Sequence, residues 1–87
     1  MFLHIGNGRS VRKRDVIGIF DLDTATVTRT GKDFINKMER EGRVEYDDYD
    51  LPRSFLLVSE GKESRVRLSR ISVQGLKLRS DSSPLNQ

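Results

Sequence analysis

Apolar residues in this chain come in short alternating or clustered runs, broken by glycine, proline and charge, which is the texture of strands with few helices. Phe2, Leu3 and Ile5 begin a short strand, and Asn7-Gly8 is a two-residue hairpin signal. The returning strand, Ser10 to Arg14, would turn Val11 inward and Arg12 and Arg14 outward. Asp15-Val16-Ile17-Gly18-Ile19-Phe20 is nearly continuous in apolar, β-branched residues, so it reads as a strand covered on both faces or bent at Gly18. Asp21 to Thr30 is polar and turn-like.

The pattern then changes period. Phe34, Ile35 and Met38 fall on one helical face, and Thr30-Gly31-Lys32-Asp33 has the spacing of a capping box. Asp33 with Lys37, and Lys37 with Glu41, are opposite charges four residues apart, and Gly42 supplies a left-handed stop. Val44, Tyr46 and Asp48 share one side of an edge strand that Leu51-Pro52 ends. Phe55-Leu56-Leu57-Val58, a loop at Glu60-Gly61-Lys62-Glu63, and Arg65-Val66-Arg67-Leu68 make a hairpin with Val66 and Leu68 inward and Arg65 and Arg67 outward. Ile71 to Leu78 predicts a short helix around Val73 and Leu76, which Gly75 weakens. The expected architecture is α+β: a mostly antiparallel sheet of five to six strands, one central helix and a short C-terminal helix. Residues 1–79 form a single domain, and 80–87, polar and containing Pro84, are a disordered tail.

Composition narrows the possibilities. With 87 residues and 34% hydrophobic content, the chain can build one core only, too small for a doubly wound enzyme fold. No stretch of about 18 apolar residues suits a membrane span. The opening MFLHIGNG lacks the basic head and long apolar stretch of a secretory leader. Cysteine is absent, which removes disulfides and thiolate metal sites and makes the cytoplasm the expected address.

The net charge of +3 is too small to name a partner, but its placement is informative. Arg9, Arg12, Lys13 and Arg14 form one cluster containing no acid, and Arg65, Arg67, Arg70, Lys77 and Arg79 form another. Glu45, Asp47, Asp48 and Asp50 make an acidic segment without a base. Such sorting suits a polyanion, or copies of the chain meeting head to tail.

Candidate chemistry is thin. The run Ile17 to Thr24, ending in Asp21 and Asp23, resembles the nucleophile strand of haloacid-dehalogenase-type phosphoryl-transfer enzymes, where paired carboxylates work with magnesium. The threonine falls one position early and the supporting sheet cannot be built at this length, so a strand end followed by a turn is the better reading. His4 is the lone histidine, which leaves no triad or histidine metal site. The acidic segment lacks calcium-loop spacing, and Gly6 and Gly8 precede no phosphate-binding helix. No catalytic residue, cofactor, metal or small-molecule substrate is expected; the chain does not read as an enzyme. Phosphate contacts from outward-facing arginines are expected instead, without a base-reading helix, because the central helix is charge-balanced.

The start Phe2-Leu3-His4-Ile5-Gly6, the strand Val16 to Phe20, the helix end Glu39-Arg40-Glu41-Gly42 and the segment Leu51-Pro52-Arg53-Ser54-Phe55-Leu56-Leu57-Val58 together resemble the bacterial extracellular matrix (biofilm) regulators RemA and RemB. The closer match is the RemB branch, with its Leu-Pro-basic-Ser-Phe segment, and the likeness runs from Phe2 to about Arg79. The resemblance implies a LytTR-like protomer that closes into a homo-oligomeric ring, larger than a dimer, and binds double-stranded DNA as a transcriptional regulator of biofilm matrix genes. Where RemA carries paired arginines after a Tyr-Gly turn, this chain has Leu51-Pro52 and then Arg53. Where RemA has an arginine before its central strand, this chain has Asp15 after Lys13-Arg14. The expected DNA contacts are Arg12, Lys13, Arg14, Arg53, Arg65 and Arg67. The alternative is an oligomeric protein-interaction module that has lost DNA binding, favoured by the changed loop and the acidic segment.

Overall fold

The computed structural model describes residues 1–6, 8–46 and 51–81. It is a small α+β fold in three layers. Six strands are present among the described residues, divided between a two-stranded and a four-stranded sheet rather than joined in one. Strands β1 (Phe2–Gly6) and β2 (Arg9–Arg12) form the antiparallel hairpin anticipated around Gly8; its other turn residue, Asn7, lies outside the described residues. A 3-10 turn, Lys13–Asp15, takes Arg14 out of the return strand in which it was expected. The second sheet has the order β3 (Val16–Asp21), β5 (Ser54–Glu60), β6 (Glu63–Ser69), β4 (Val44–Tyr46). Its β3–β5 and β5–β6 pairings are antiparallel, and β4 runs parallel to β6. Alternation at Val44-Glu45-Tyr46 reveals a strand but not its direction; that depends on how the preceding helix returns the chain. Asp48 and the rest of the acidic segment beyond Tyr46 lie outside the described residues.

The reason for three layers lies in β5. Phe55-Leu56-Leu57-Val58 is apolar on successive residues, so both faces of the sheet must be covered. Helix α2 (Arg29–Arg40) covers one face, where Met38, Phe34 and Ile35 meet Phe55, Leu57, Val66 and Leu68. The β1–β2 hairpin and helix α3 (Val73–Asp81) cover the other, where Leu3, Ile5, Val11 and Leu76 meet Leu56 and Val58. The continuous run at β3 is therefore not the doubly covered strand. β3 is an edge, with a register shift between Val16 and Gly18 that leaves Ile17 60% exposed, while Ile19 packs with the hairpin rather than with α2.

Two serines lock the layers. Ser54 and Ser69 face each other across β5 and β6 and are fully buried. Ser54 Oγ donates to Ile71 O at 2.6 Å; Ser69 Oγ donates to Ile5 O at 2.7 Å and accepts from Ile71 N at 3.0 Å. Both β1 and the approach to α3 are thus bonded to the sheet through the hydroxyls of two fully buried serines.

The polar stretch after β3 contains a short helix, α1 (Leu22–Ala25), capped by Asp21, whose Oδ1 accepts from Thr24 N at 3.1 Å. The first carboxylate of the apparent phosphoryl-transfer motif is thus a helix cap. Helix α2 is capped by Thr28, not Thr30: Thr28 Oγ1 accepts from Gly31 N at 3.0 Å. A Cβ at position 31 would lie 1.8 Å from Ala25 O, so only glycine lets α1 and α2 approach this closely. The far end behaves as expected. Gly42, at φ 68°, donates to Glu39 O, and Arg43 N donates to Met38 O, completing a Schellman closure. α3 begins where Ser72 Oγ accepts from Gly75 N and reaches Asp81, past the expected domain limit at residue 79; residues 82–87 of the expected tail lie outside the described residues. No helix among the described residues is long and apolar enough to cross a membrane.

Candidate nucleic-acid interface

The anticipated contact residues occupy three separate places. The first is a corner at the end of β2 and the following 3-10 turn, where Arg12, Lys13 and Arg14 line a shallow cleft of about 460 Å³ together with Met1 and Phe2. Arg12 and Arg14 are exposed and Lys13 is half-buried. The corner is held in place: Lys13 N donates to Met1 O at 3.0 Å, and the inward residues Leu3, Ile5 and Val11 anchor the hairpin in the core. Among the described residues, no acidic side chain lines the cleft.

Arg65 and Arg67 form the second place, and here the expectation of solvent-facing charge fails. They do point away from Val66 and Leu68, as alternation requires, but that face is the one covered by the hairpin layer. Their side chains are only 27% and 12% exposed. Arg65 pairs with Glu45 at 3.4 Å and with Glu60 at 3.2 Å, and Arg67 pairs with Glu45 at 3.7 Å. The parallel register sets Glu45 directly beside Arg67, so this acid neutralises two partly covered cations of its own chain.

Arg53 is the third. It is exposed, its N–H donating to Ser69 O at 2.8 Å and its carbonyl accepting from Leu22 N at 3.1 Å. The β3–β5 register puts Ser54 opposite Asp21 and Val58 opposite Val16. Arg53 and the Arg12–Arg14 corner therefore lie at opposite ends of β3, about 17–20 Å apart for a strand of this length.

Of the other charged groups, Arg43 donates through Nη1 to Glu41 Oε1 at 2.6 Å and through Nε to Ser64 O. That hydrogen bond holds the Glu41 carboxyl below its ordinary value against an opposing desolvation, helped by the nearby charges of Arg43, Lys37 and Arg40. His4 sits exposed on the outer face of β1, and its carbonyl accepts from Arg79 Nη1 at 3.4 Å.

Phe2 was missed as a surface residue. It is 66% exposed, and its signal was present in the sequence: it falls out of phase with Leu3 and Ile5, on the face shared with His4 and opposite Arg12. Glu45 carried no comparable signal, because its partners lie 20 and 22 positions further along the chain. No protein-family model matches the chain, and no curated protein matches its sequence.

Proposed function

We propose that this protein is a cytoplasmic DNA-binding regulator of the RemA/RemB kind, a LytTR-like protomer that works on biofilm matrix genes as a homo-oligomeric ring. The observation that carries the reading is the corner of Arg12, Lys13 and Arg14: consecutive cations lining one cleft, with Arg12 and Arg14 exposed, on a hairpin bonded to the core. Such a corner suits phosphate oxygens, and Arg53 adds a second contact at the far end of β3. A single protomer has too few cations for tight binding. Repetition round a ring converts a few weak phosphate contacts into avidity. The edge strand β3, with Ile17 and Phe20 at 60% and 43% exposure, offers apolar surface for a neighbouring copy.

That same edge supports a second reading, an oligomeric interaction module without DNA binding. One experiment separates the two: solution mass by light scattering, followed by a salt titration of duplex DNA binding. The regulator reading requires a particle larger than a dimer whose affinity falls steeply with salt. A large particle with no affinity at low salt leaves the interaction module.

A further inference from the structure

We propose that Phe2 is an apolar wedge that enters a base step of the bound duplex through the minor groove while Arg12, Lys13 and Arg14 hold the flanking phosphates; this rests on the DNA-binding reading and adds how the duplex is deformed. An aromatic ring left 66% exposed on a strand whose neighbours Leu3 and Ile5 are buried is unfavourable in water until something covers it. Its support is stiff, since β1 is bonded through Ile5 O to Ser69, and Met1 O accepts from Lys13 N. Its cross-strand partner is Arg12, so ring and guanidinium stand side by side on one face, within about 5 Å at Cβ for such a pair. An apolar point set among cations is the arrangement minor-groove proteins use to unstack a base step and bend the helix around their own surface. Charge complementarity selects the occupant. Among the described residues the cleft is lined by Met1, Phe2 and three basic residues, of which Arg12 and Arg14 are exposed, and this suits a polyanion better than the same cationic surface of another copy.

The wedge predicts a sequence preference without base hydrogen bonds, because pyrimidine–purine steps unstack most easily. The test uses the full chain and end-labelled duplexes of about 30 bp, with or without a central TA step, reading affinity by anisotropy and bending by end-to-end energy transfer. The parent should shorten the end-to-end distance and favour the TA duplex. Phe2→Ala should straighten the duplex, abolish the TA preference and weaken binding roughly tenfold, with the salt slope unchanged because phosphate contacts remain. Phe2→Leu should restore most of the bend, and a melting curve on each variant verifies folding. If Phe2→Ala bends and binds DNA like the parent, the wedge is wrong and the DNA reading stands. If Phe2→Ala lowers the solution mass without changing affinity per protomer, Phe2 belongs between copies and the wedge is equally overturned. If the parent binds neither duplex at about 50 mM salt, the reading beneath it fails as well.

Discussion

Two basic segments of this chain look alike in sequence and differ in the fold. Arg12-Lys13-Arg14 and Arg65-Val66-Arg67 each place cations on or beside a strand, with an acid close by in the chain, Asp15 after the first and Glu63 before the second. In the structure the second segment is countered by Glu45 and Glu60 and mostly covered, whereas the first lines a shallow cleft beside an exposed phenylalanine, with Arg12 and Arg14 exposed. The difference comes from strand pairing, which brings Glu60 of β5 and Glu45 of β4 to the arginines of β6. Bringing β4 alongside β6 puts Glu45 opposite Arg67, while the hairpin carrying Arg12 packs through Leu3, Ile5 and Val11 and leaves its outer face open. Local charge counts therefore say little about which cations can meet a polyanion; what matters is which strand pairs beside them.

The comparison breaks most directly by exchanging the two segments' roles. Arg12→Ala combined with Arg14→Ala should lower duplex affinity roughly a hundred-fold at low salt and make the salt slope shallower, the loss being multiplied by every copy in a ring. Arg65→Ala combined with Arg67→Ala should leave affinity nearly unchanged while lowering the melting temperature. Equal losses from both pairs, measured by anisotropy, would erase the distinction.

The support of the exposed corner is tested at Ser69. Ser69→Ala strands the buried Ile5 O and leaves the part-buried Ile71 N without its partner, so unfolding in urea should report a loss of about 2–4 kcal/mol, from about 1–3 for the buried group and less for the other. A change near zero would mean that the hairpin is not held through this bond.

A smaller effect is expected from releasing the countered cations. Glu45→Gln removes the acid shared by Arg65 and Arg67 and should raise non-specific duplex affinity about three- to tenfold, with a steeper salt dependence. An unchanged slope would show that these arginines are out of reach of phosphate even when uncompensated.

The smallest expected effect is a pH dependence at the end of α2. The Glu41 carboxyl is depressed in the folded chain, first by the hydrogen bond from Arg43. A group lowered on folding contributes stability that is fully present above its unfolded pKa and lost as pH falls through the folded value. Melting temperature should therefore decline slightly on acidification below the ordinary carboxylate range, and Arg43→Ala should remove that increment. Because the pair is exposed, it is screened by salt as well as by water.

The readable parts of the fold were those governed by nearest neighbours. Gly42 ends α2 in the left-handed conformation, Gly61 turns the β5–β6 hairpin at φ 63°, and the alternation at Val66 and Leu68 gives the buried face. Errors arose where local signals competed. Thr24, Thr26, Thr28 and Thr30 can all cap helices, and the choice of Thr28 follows from α1 occupying Leu22–Ala25 and from the close approach of Ala25 to Gly31. Arg14 fits a strand by alternation, yet the chain must turn at Lys13–Asp15 to enter the second sheet.

By itself the sequence determined the α+β class, the elements that alternate or repeat every three to four residues, and the presence of two basic clusters, because each depends on residues close along the chain. Tertiary structure alone decided that six strands split into two sheets, that β3 is an edge, and that Ser54 and Ser69 join the layers. It also decided which arginines are answered by acids. The physical reason is distance along the chain: Glu45 and Arg67 become neighbours only when α2 has packed and β4 has found β6.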